Sequence, residues 1–229
     1  MLIPNTGTLT MEGFVKERQQ MVDRQIRARG VDDVRVLDAM VSVPRHLFVA
    51  SDDKERAYQD CPLPIGLGQT ISQPYVVAYM CEALSLTKTS KVLDVGTGSG
   101  YSAAVLSELA GTVIGVERKP DLVDLAKTNL ARAGYGAIEV HCADGSMGYL
   151  KEAPYDAIMV GAGAPATPDQ LQQQLAIGGH LVIPIGPSRH HQMLWRITRI
   201  SEDEFDTKNL GDVSFVPLIG EDGWEAGFD

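Results

Sequence analysis

Cysteine is scarce in this chain of 229 residues: Cys61, Cys81 and Cys142 are odd in number and far apart. That spacing argues against a disulfide framework and offers no paired zinc ligands, so buried apolar thiols are the expectation. Positive charge is also in short supply, with 20 Lys and Arg against 30 Asp and Glu and a net charge of −10. An extended phosphate-binding surface would work against that field, and no nucleic-acid partner is expected. No apolar run is long enough to span a bilayer, and the polar start Pro4-Asn5-Thr6-Gly7-Thr8 lacks the form of a secretory signal. No membrane partner and a cytoplasmic location are therefore the defaults. His190-His191 stand in a polar loop without matching acid or cysteine spacing and read as an exposed turn, so no metal is assigned.

What is present centres on Val92-Leu93-Asp94-Val95-Gly96-Thr97-Gly98-Ser99-Gly100-Tyr101. A short apolar run ends in an acid, three glycines alternate with small residues, and a helical pattern begins at once. Such a stretch turns a buried strand into a helix whose N-terminus faces a ligand. A dinucleotide site would want a small residue three places after the second glycine, where this chain has bulky Tyr101. Asp94 would repel a pyrophosphate and suit a cationic ligand. The spacing thus favours S-adenosyl-L-methionine over a nicotinamide cofactor, with a glycine-rich turn that binds nothing as the plainer alternative.

Before this turn, Val15, Val22 and Ile26 recur at helical intervals in a segment from Met11 to Arg29 that Gly30 closes. A second helix starts near Asp32-Asp33 and must end before Pro44. The stretch from Pro44 to Tyr75 is irregular but too apolar for disorder, with Tyr58, Leu63, Ile65, Leu67 and Ile71. Ser72 is placed to N-cap a helix carrying Val76, Val77, Met80 and Leu84, leaving Gln69 and Thr70 just outside it. The residues themselves are compatible with capping and with a functional role for Ser72.

Beyond the turn, Tyr101 to Leu109 reads as a helix, Thr112 to Glu117 as a strand, Pro120 to Gly134 as a helix, and Ala137 to Cys142 as a strand. Glu117, about 20 positions past the glycines and at a strand end, suits the two hydroxyls of a ribose, or merely caps Pro120-Asp121. Asp144-Gly145, at the next strand end, is a plain turn or the reader of an adenine edge. A fourth strand spans Pro154 to Gly161, a helix Pro168 to Ala176, and a fifth strand His180 to Ile185 after Gly178-Gly179. Gln192 to Ile200 and Asp212 to Leu218 are further strands, expected as an antiparallel edge because no helix separates them. Alternation of strand and helix from Lys91 to Ile185 predicts a parallel sheet whose ligands gather at the carboxyl ends of its strands.

The chain resembles the protein-L-isoaspartate O-methyltransferases. The likeness runs over Val43-Pro44-Arg45-His46-Leu47-Phe48-Val49, Ala57-Tyr58, Pro64-Ile65-Gly66, and above all Gly68-Gln69-Thr70-Ile71-Ser72-Gln73-Pro74. It continues in Asp144-Gly145, Gly148-Tyr149, Pro154-Tyr155-Asp156-Ala157-Ile158, Val182-Ile183-Pro184-Ile185-Gly186 and Val216-Pro217-Leu218. The resemblance implies an α/β, doubly wound, mostly parallel sheet of about seven strands, a Rossmann-like class I methyltransferase with an N-terminal helical cap. One domain over 1–229 follows, with a substrate-side segment in 1–90, a cofactor core in 91–186 and edge strands with a tail in 187–229.

It also implies that Ser72 is the catalytic residue. Gln69, Asp94, Gly96, Thr97, Gly98, Gly100, Glu117, Arg118, Asp144 and Gly145 would bind the cofactor, S-adenosyl-L-methionine. Thr70, Ile71, Ser72, Val216, Pro217 and Leu218 would meet an isoaspartyl protein or peptide. The short acidic tail Glu221 to Asp229 departs from the family, which leaves contacts by Ile219 or Gly223 in question and Trp224 as either lid or anchor. The implied reaction methylates the free α-carboxyl of an L-isoaspartyl residue, in a protein expected to be a monomer. Its rivals are a methyltransferase for a small molecule or RNA, and a silent member that recruits a partner.

Overall fold

The computed structural model describes residues 11–188 and 191–227. The expectations for the first ten residues, for His190 and for the last two residues lie outside these. The first helix, α1 (Met11–Met21), widens over Val22–Ile26 and tightens over Arg27–Arg29 before Gly30 ends it at φ 93°. Its inward side carries Phe14, Met21, Val22 and Ile26, while Val15 is exposed. The predicted use of Val15 is thereby corrected: Phe14 takes the inward position and stacks on the His46 ring at 4.1 Å. The next helix, α2 (Val34–Ser42), is N-capped by Asp33, whose side chain accepts from Arg35 N.

The stretch read as irregular contains a small antiparallel hairpin, β1 (Leu63–Gly66) and β2 (Gln69–Ile71). Leu67 at φ 53° and Gly68 at φ 72° make its turn. The following helix, α3 (Pro74–Ala83), corrects the capping expectation. Gln73, not Ser72, occupies the N-cap position, and no side chain of its own caps the helix. Asp60 serves from a distance instead, accepting from Tyr75 N at 3.2 Å and from the Gln73 amide at 2.7 Å.

The core sheet follows in β3 (Lys91–Val95), β4 (Thr112–Glu117), β5 (Glu139–Cys142), β6 (Tyr155–Val160), β7 (Leu175–Ser188), β8 (His191–Arg199) and β9 (Phe205–Val213). Between them lie α4 (Tyr101–Leu109), α5 (Pro120–Ala133) and α6 (Asp169–Gln173). The seven strands are ordered β5-β4-β3-β6-β7-β8-β9. Pairs from β5 to β7 are parallel, and β7-β8-β9 form an antiparallel edge, as predicted in kind but with a last strand other than the predicted one. Helices cover both faces: α1 to α5 bury one set of side chains, while α6 and Leu218 close the other. The strand order reverses between β3 and β6, which makes the carboxyl end of β3 the natural ligand site.

Three boundaries depart from prediction. Helix α6 stops at Gln173, and β7 starts at Leu175 and runs through Gly178-Gly179, which were read as a break. Gly179 fits there because a β-carbon would press on the Tyr155 and Asp156 carbonyls, at 3.1 and 3.0 Å. The last strand is β9, earlier than the predicted Asp212 to Leu218. As an edge strand it is largely exposed and polar, so it lacks the apolar signature sought, while Phe215 and Leu218 are buried after the chain has left the sheet. Cys142 is exposed at the end of β5, contrary to the expectation of buried thiols.

The join of α4 to its neighbours depends on Gly100, at φ 92°. A β-carbon there would meet Leu130 Cγ of α5 at 3.0 Å and the Ala126 carbonyl at 3.3 Å, and Asn129 of the same helix donates to Ser99 O at 3.0 Å. Gly100→Ala should therefore cost about 1–3 kcal/mol of stability, through the left-handed backbone and the crowded contact together. Urea denaturation of the two proteins measures the difference.

Candidate active site

The glycine turn is built by the neighbouring strand. Gly96 N and Thr97 N both donate to Val116 O, at 2.8 and 3.2 Å, and Gly98 N donates to Glu117 Oε2 at 3.0 Å. The other oxygen of Glu117 accepts from Lys119 N at 3.0 Å. Thr97 turns inward: its hydroxyl donates to Asp94 O at 3.1 Å and fills the space that Gly115 leaves, where a β-carbon would lie 2.6 Å from it.

Side chains alternate across a strand, so Asp94 shares the face of Val92, under α3 and α4, and not that of Leu93 and Val95. It is 1 % exposed, and its Oδ2 has no hydrogen-bond partner. Burial raises its carboxyl to about 7, against the opposing Thr97 hydrogen bond and with a lesser push upward from Glu117. A buried carboxylate with an unanswered oxygen beside an open glycine turn fits a cationic ligand.

Two cavities meet at the strand ends. A narrow cleft of about 80 Å³ is lined by Gln69 and Thr70 of β2, Gly96, Gly98, Glu117, Arg118, Gly145 and Val216 to Ile219, among others. A broad groove of about 1000 Å³ lies between α3 and the segment 210–216, lined by Ser72, Thr70, Tyr75, Tyr79 and Val216. Thr70, Gly161 and Val216 belong to both. Most of the predicted residues are therefore brought to one place. Thr97 and Asp94 lie buried beneath it, Gly100 shapes the turn, and Ile71 is a core residue at 4 % exposure.

Asp144 is placed differently from Gly145. Its Oδ1 accepts from Ser146 N and Oγ, at 3.0 and 2.7 Å, and its Oδ2 accepts from Glu221 N at 2.8 Å. Asp222 N donates to Ser146 Oγ at 3.0 Å, and the Trp224 indole donates to Gly163 O at 3.1 Å. The tail through Trp224 is thus strapped across the strand ends, with Ile219 in the cleft wall and Trp224 as an anchor. Gly220 is required in this strap because a β-carbon would collide with the Asp144 carboxylate. Sequence reasoning missed Lys119 and Ile65 on the cleft, and Arg29, Tyr75 and Tyr79 on the groove, while Ile219, whose contact it left in question, lines the cleft. The small-residue loop Ala162 to Ala166 was a usable signal for Gly161 and Ala162, since small residues let the tail cross closely.

Residues 16–223 match the family of Protein-L-isoaspartate(D-aspartate) O-methyltransferase (PCMT). The chain belongs to this family. It is 54% identical over 207 residues to protein-L-isoaspartate O-methyltransferase 2 of Marinobacter nauticus, covering 90% of this chain and 94% of that one. It is also 54% identical over 210 residues to the protein-L-isoaspartate O-methyltransferase of Methanoculleus marisnigri, covering 92% and 94%. Among solved structures, one described as a Plasmodium falciparum protein-L-isoaspartate O-methyltransferase in complex with S-adenosyl-L-homocysteine superimposes with a TM-score of 0.75 at 29% identity, over 88% of this chain and 98% of that one. Another protein-L-isoaspartate O-methyltransferase gives 0.81 at 27% identity, over 90% and 67%. Such a fold is the Rossmann-like class I methyltransferase. Among the described residues no helix is long and apolar enough to cross a membrane.

In this family member the raised carboxyl of Asp94 has a consequence for stability. Its folded-state value lies above the unfolded one, so the contribution is present below about pH 4 and is lost as pH rises through about 7. Asp94→Asn should flatten that fall in the ligand-free protein. Urea midpoints at pH 5 and pH 8 measure it, and equal slopes in both proteins would show that Asp94 ionises without cost.

Proposed function

We propose that this chain transfers a methyl group from S-adenosyl-L-methionine to the free α-carboxyl of L-isoaspartyl residues in damaged proteins and peptides. The resulting ester loses methanol to a succinimide, which hydrolyses partly to normal aspartyl, so the outcome is repair. The observation that carries this reading is the meeting of the two cavities at Thr70, next to Ser72: a glycine-turn cleft opens beside a groove wide enough for an extended peptide.

When bound, the cofactor supplies a methyl group on a positively charged sulfur. The glycine turn and Asp94 provide a close main-chain approach and a counter-charge for such a group. Glu117 holds the ribose hydroxyls: each of its oxygens already accepts one backbone N–H and retains a lone pair for a second donor. Gly145 presents the main chain to the adenine, while the Asp144 carboxylate serves the strap behind it.

The acceptor carboxylate is already ionised at neutral pH, since an ordinary carboxyl titrates near about 4. No general base is needed. Ser72 orients that carboxylate by hydrogen bonding, Thr70 and Gln69 line the joint between the two ligands, and Val216-Pro217-Leu218 offers main chain to the peptide. Positioning of this kind supplies up to roughly 7–11 kcal/mol of the barrier reduction in favourable cases. We take the chain to act as one domain, as a monomer in the cytoplasm, and without a nucleic-acid partner, the last supported by its acidic balance.

Labelled cofactor offered with an isoaspartyl peptide and its normal aspartyl twin tests the whole reading. Methyl transfer is expected to the first only; equal transfer to both would sink it, and transfer to neither would favour the recruiting role. Ser72→Ala should lower kcat on the isoaspartyl peptide by up to roughly 10²-fold with cofactor affinity kept, because only orientation is lost. Loss of cofactor affinity instead would assign Ser72 to the scaffold. Glu117→Ala should do the reverse and weaken cofactor binding by roughly 10-fold or more, the worth of a hydrogen bond to a charged group. Calorimetric titration with S-adenosyl-L-homocysteine reads both.

A further inference from the structure

Arg45 is 0 % exposed, yet no carboxylate among the described residues forms an ion pair with it. Its guanidinium instead joins three separate stretches of chain. Nε donates to Ala57 O at 2.8 Å, Nη2 donates to Ser72 O at 2.7 Å, and Cζ lies 4.7 Å from the centre of the Tyr101 ring. Nη1 has no hydrogen-bond partner. Tyr101 is itself buried, as the first residue of α4 after the glycine turn, and is held from its other sides by Phe48, at 5.7 Å between ring centres, and by Met40, whose sulfur accepts from its hydroxyl at 3.7 Å.

Burying a cation without a counter-ion is an expensive way to gain stability, and apolar residues of similar volume do that task better. What a guanidinium adds is a rigid planar fork that fixes two carbonyls at once and stacks on an aromatic face. Here one carbonyl belongs to Ser72, which lines the peptide groove, and the aromatic face belongs to the residue that follows the cofactor turn. Asp60 meets the donors at the start of α3, while the Ser72 carbonyl just before it is tied back by Arg45.

Resting on the function proposed above, we infer that Arg45 is a positioning residue, which sets Ser72 at a fixed distance from the cofactor turn by bridging the Ser72 carbonyl and the Tyr101 ring. It touches neither ligand and acts through Ser72. Bulky Tyr101, which is out of place in a dinucleotide turn, is on this reading the seat of that bridge.

The test is a double-mutant cycle of Arg45→Met and Ser72→Ala, with kcat and KM for the isoaspartyl peptide and calorimetric Kd for S-adenosyl-L-homocysteine measured on folded protein at low temperature. Arg45→Met should lower kcat by roughly 10–100-fold, as a misplacement of about 1 Å does, and leave the cofactor Kd within about twofold. In the Ser72→Ala background the same change should cost less than about threefold, because the group it positions is gone. Arg45→Met with unaltered kcat, or an equal loss in both backgrounds, would overturn the inference. Should Arg45→Met not accumulate as folded protein, Arg45→Lys enters the same cycle and is judged by the same non-additivity, since it keeps the charge and loses the fork. A wild-type protein inactive on the isoaspartyl peptide counts against the proposed function, whereas an active wild type with an additive cycle counts against Arg45 alone.

Discussion

The carboxylate of Glu117 holds two loops at once. It stands just beyond the pairing of Val95 with Val116, and its oxygens accept from Gly98 N and Lys119 N, the turns that leave β3 and β4. With Gly96 N and Thr97 N already on Val116 O, the first three donors of the glycine turn are committed to the strand beside it. Hydrogen bonds to a charged group contribute about 1.5–3 kcal/mol each, so the turn is rigid at the point where main chain must lie close to a ligand. Everything else at the site is placed relative to this wall. The groove residues come in from the hairpin β1-β2 and the start of α3, and the tail comes in from the far edge of the sheet.

Where local signals agreed, the sequence was readable to the residue. Strand β4 runs Thr112–Glu117 as predicted, and α5 starts at Pro120 and is ended by Gly134 at φ 90°, because proline at a first turn and glycine in the left-handed region act through the backbone alone. The same holds for the glycine turn and for Glu117, whose spacing follows from one strand, one turn and one helix. The signal failed where partners come from afar. Ser72 looked like a cap because it precedes a helix, but the donors there are met by Asp60, twelve residues earlier in the chain, across a loop that no period reveals. Strand β9 went unseen because an edge strand with both sides wet carries no alternation.

Asp94 and Asp144 show that a motif does not fix what its acid does. The sequence assigns both to the cofactor, Asp94 by its charge before the glycine turn and Asp144 by its place at a strand end. The pleat sends Asp94 to the face covered by α3 and α4, where it has no partner for one oxygen. Asp144 is the opposite case, with both oxygens engaged, one by Ser146 and the other by the tail at Glu221. An unanswered buried carboxylate and a fully answered one have different chemistry available, although they are the same residue in similar sequence settings.

That contrast bears on how the two ligands are told apart. The part of the cleft lined by Gly145 and Ile219, where we propose the adenine lies, is bounded by backbone that the strap holds, which would make recognition there a matter of shape and main-chain groups. The end nearer Ser72 and Thr70 is bounded by side chains on a hairpin and a helix start that lack a cap of their own. A peptide with an extra methylene in its backbone differs from a normal one by the path of its chain, not by its charge. On the proposed reading such discrimination falls to the Ser72 hydroxyl, and a buried guanidinium on the Ser72 carbonyl is a means of holding its backbone where solvent and salt have no access.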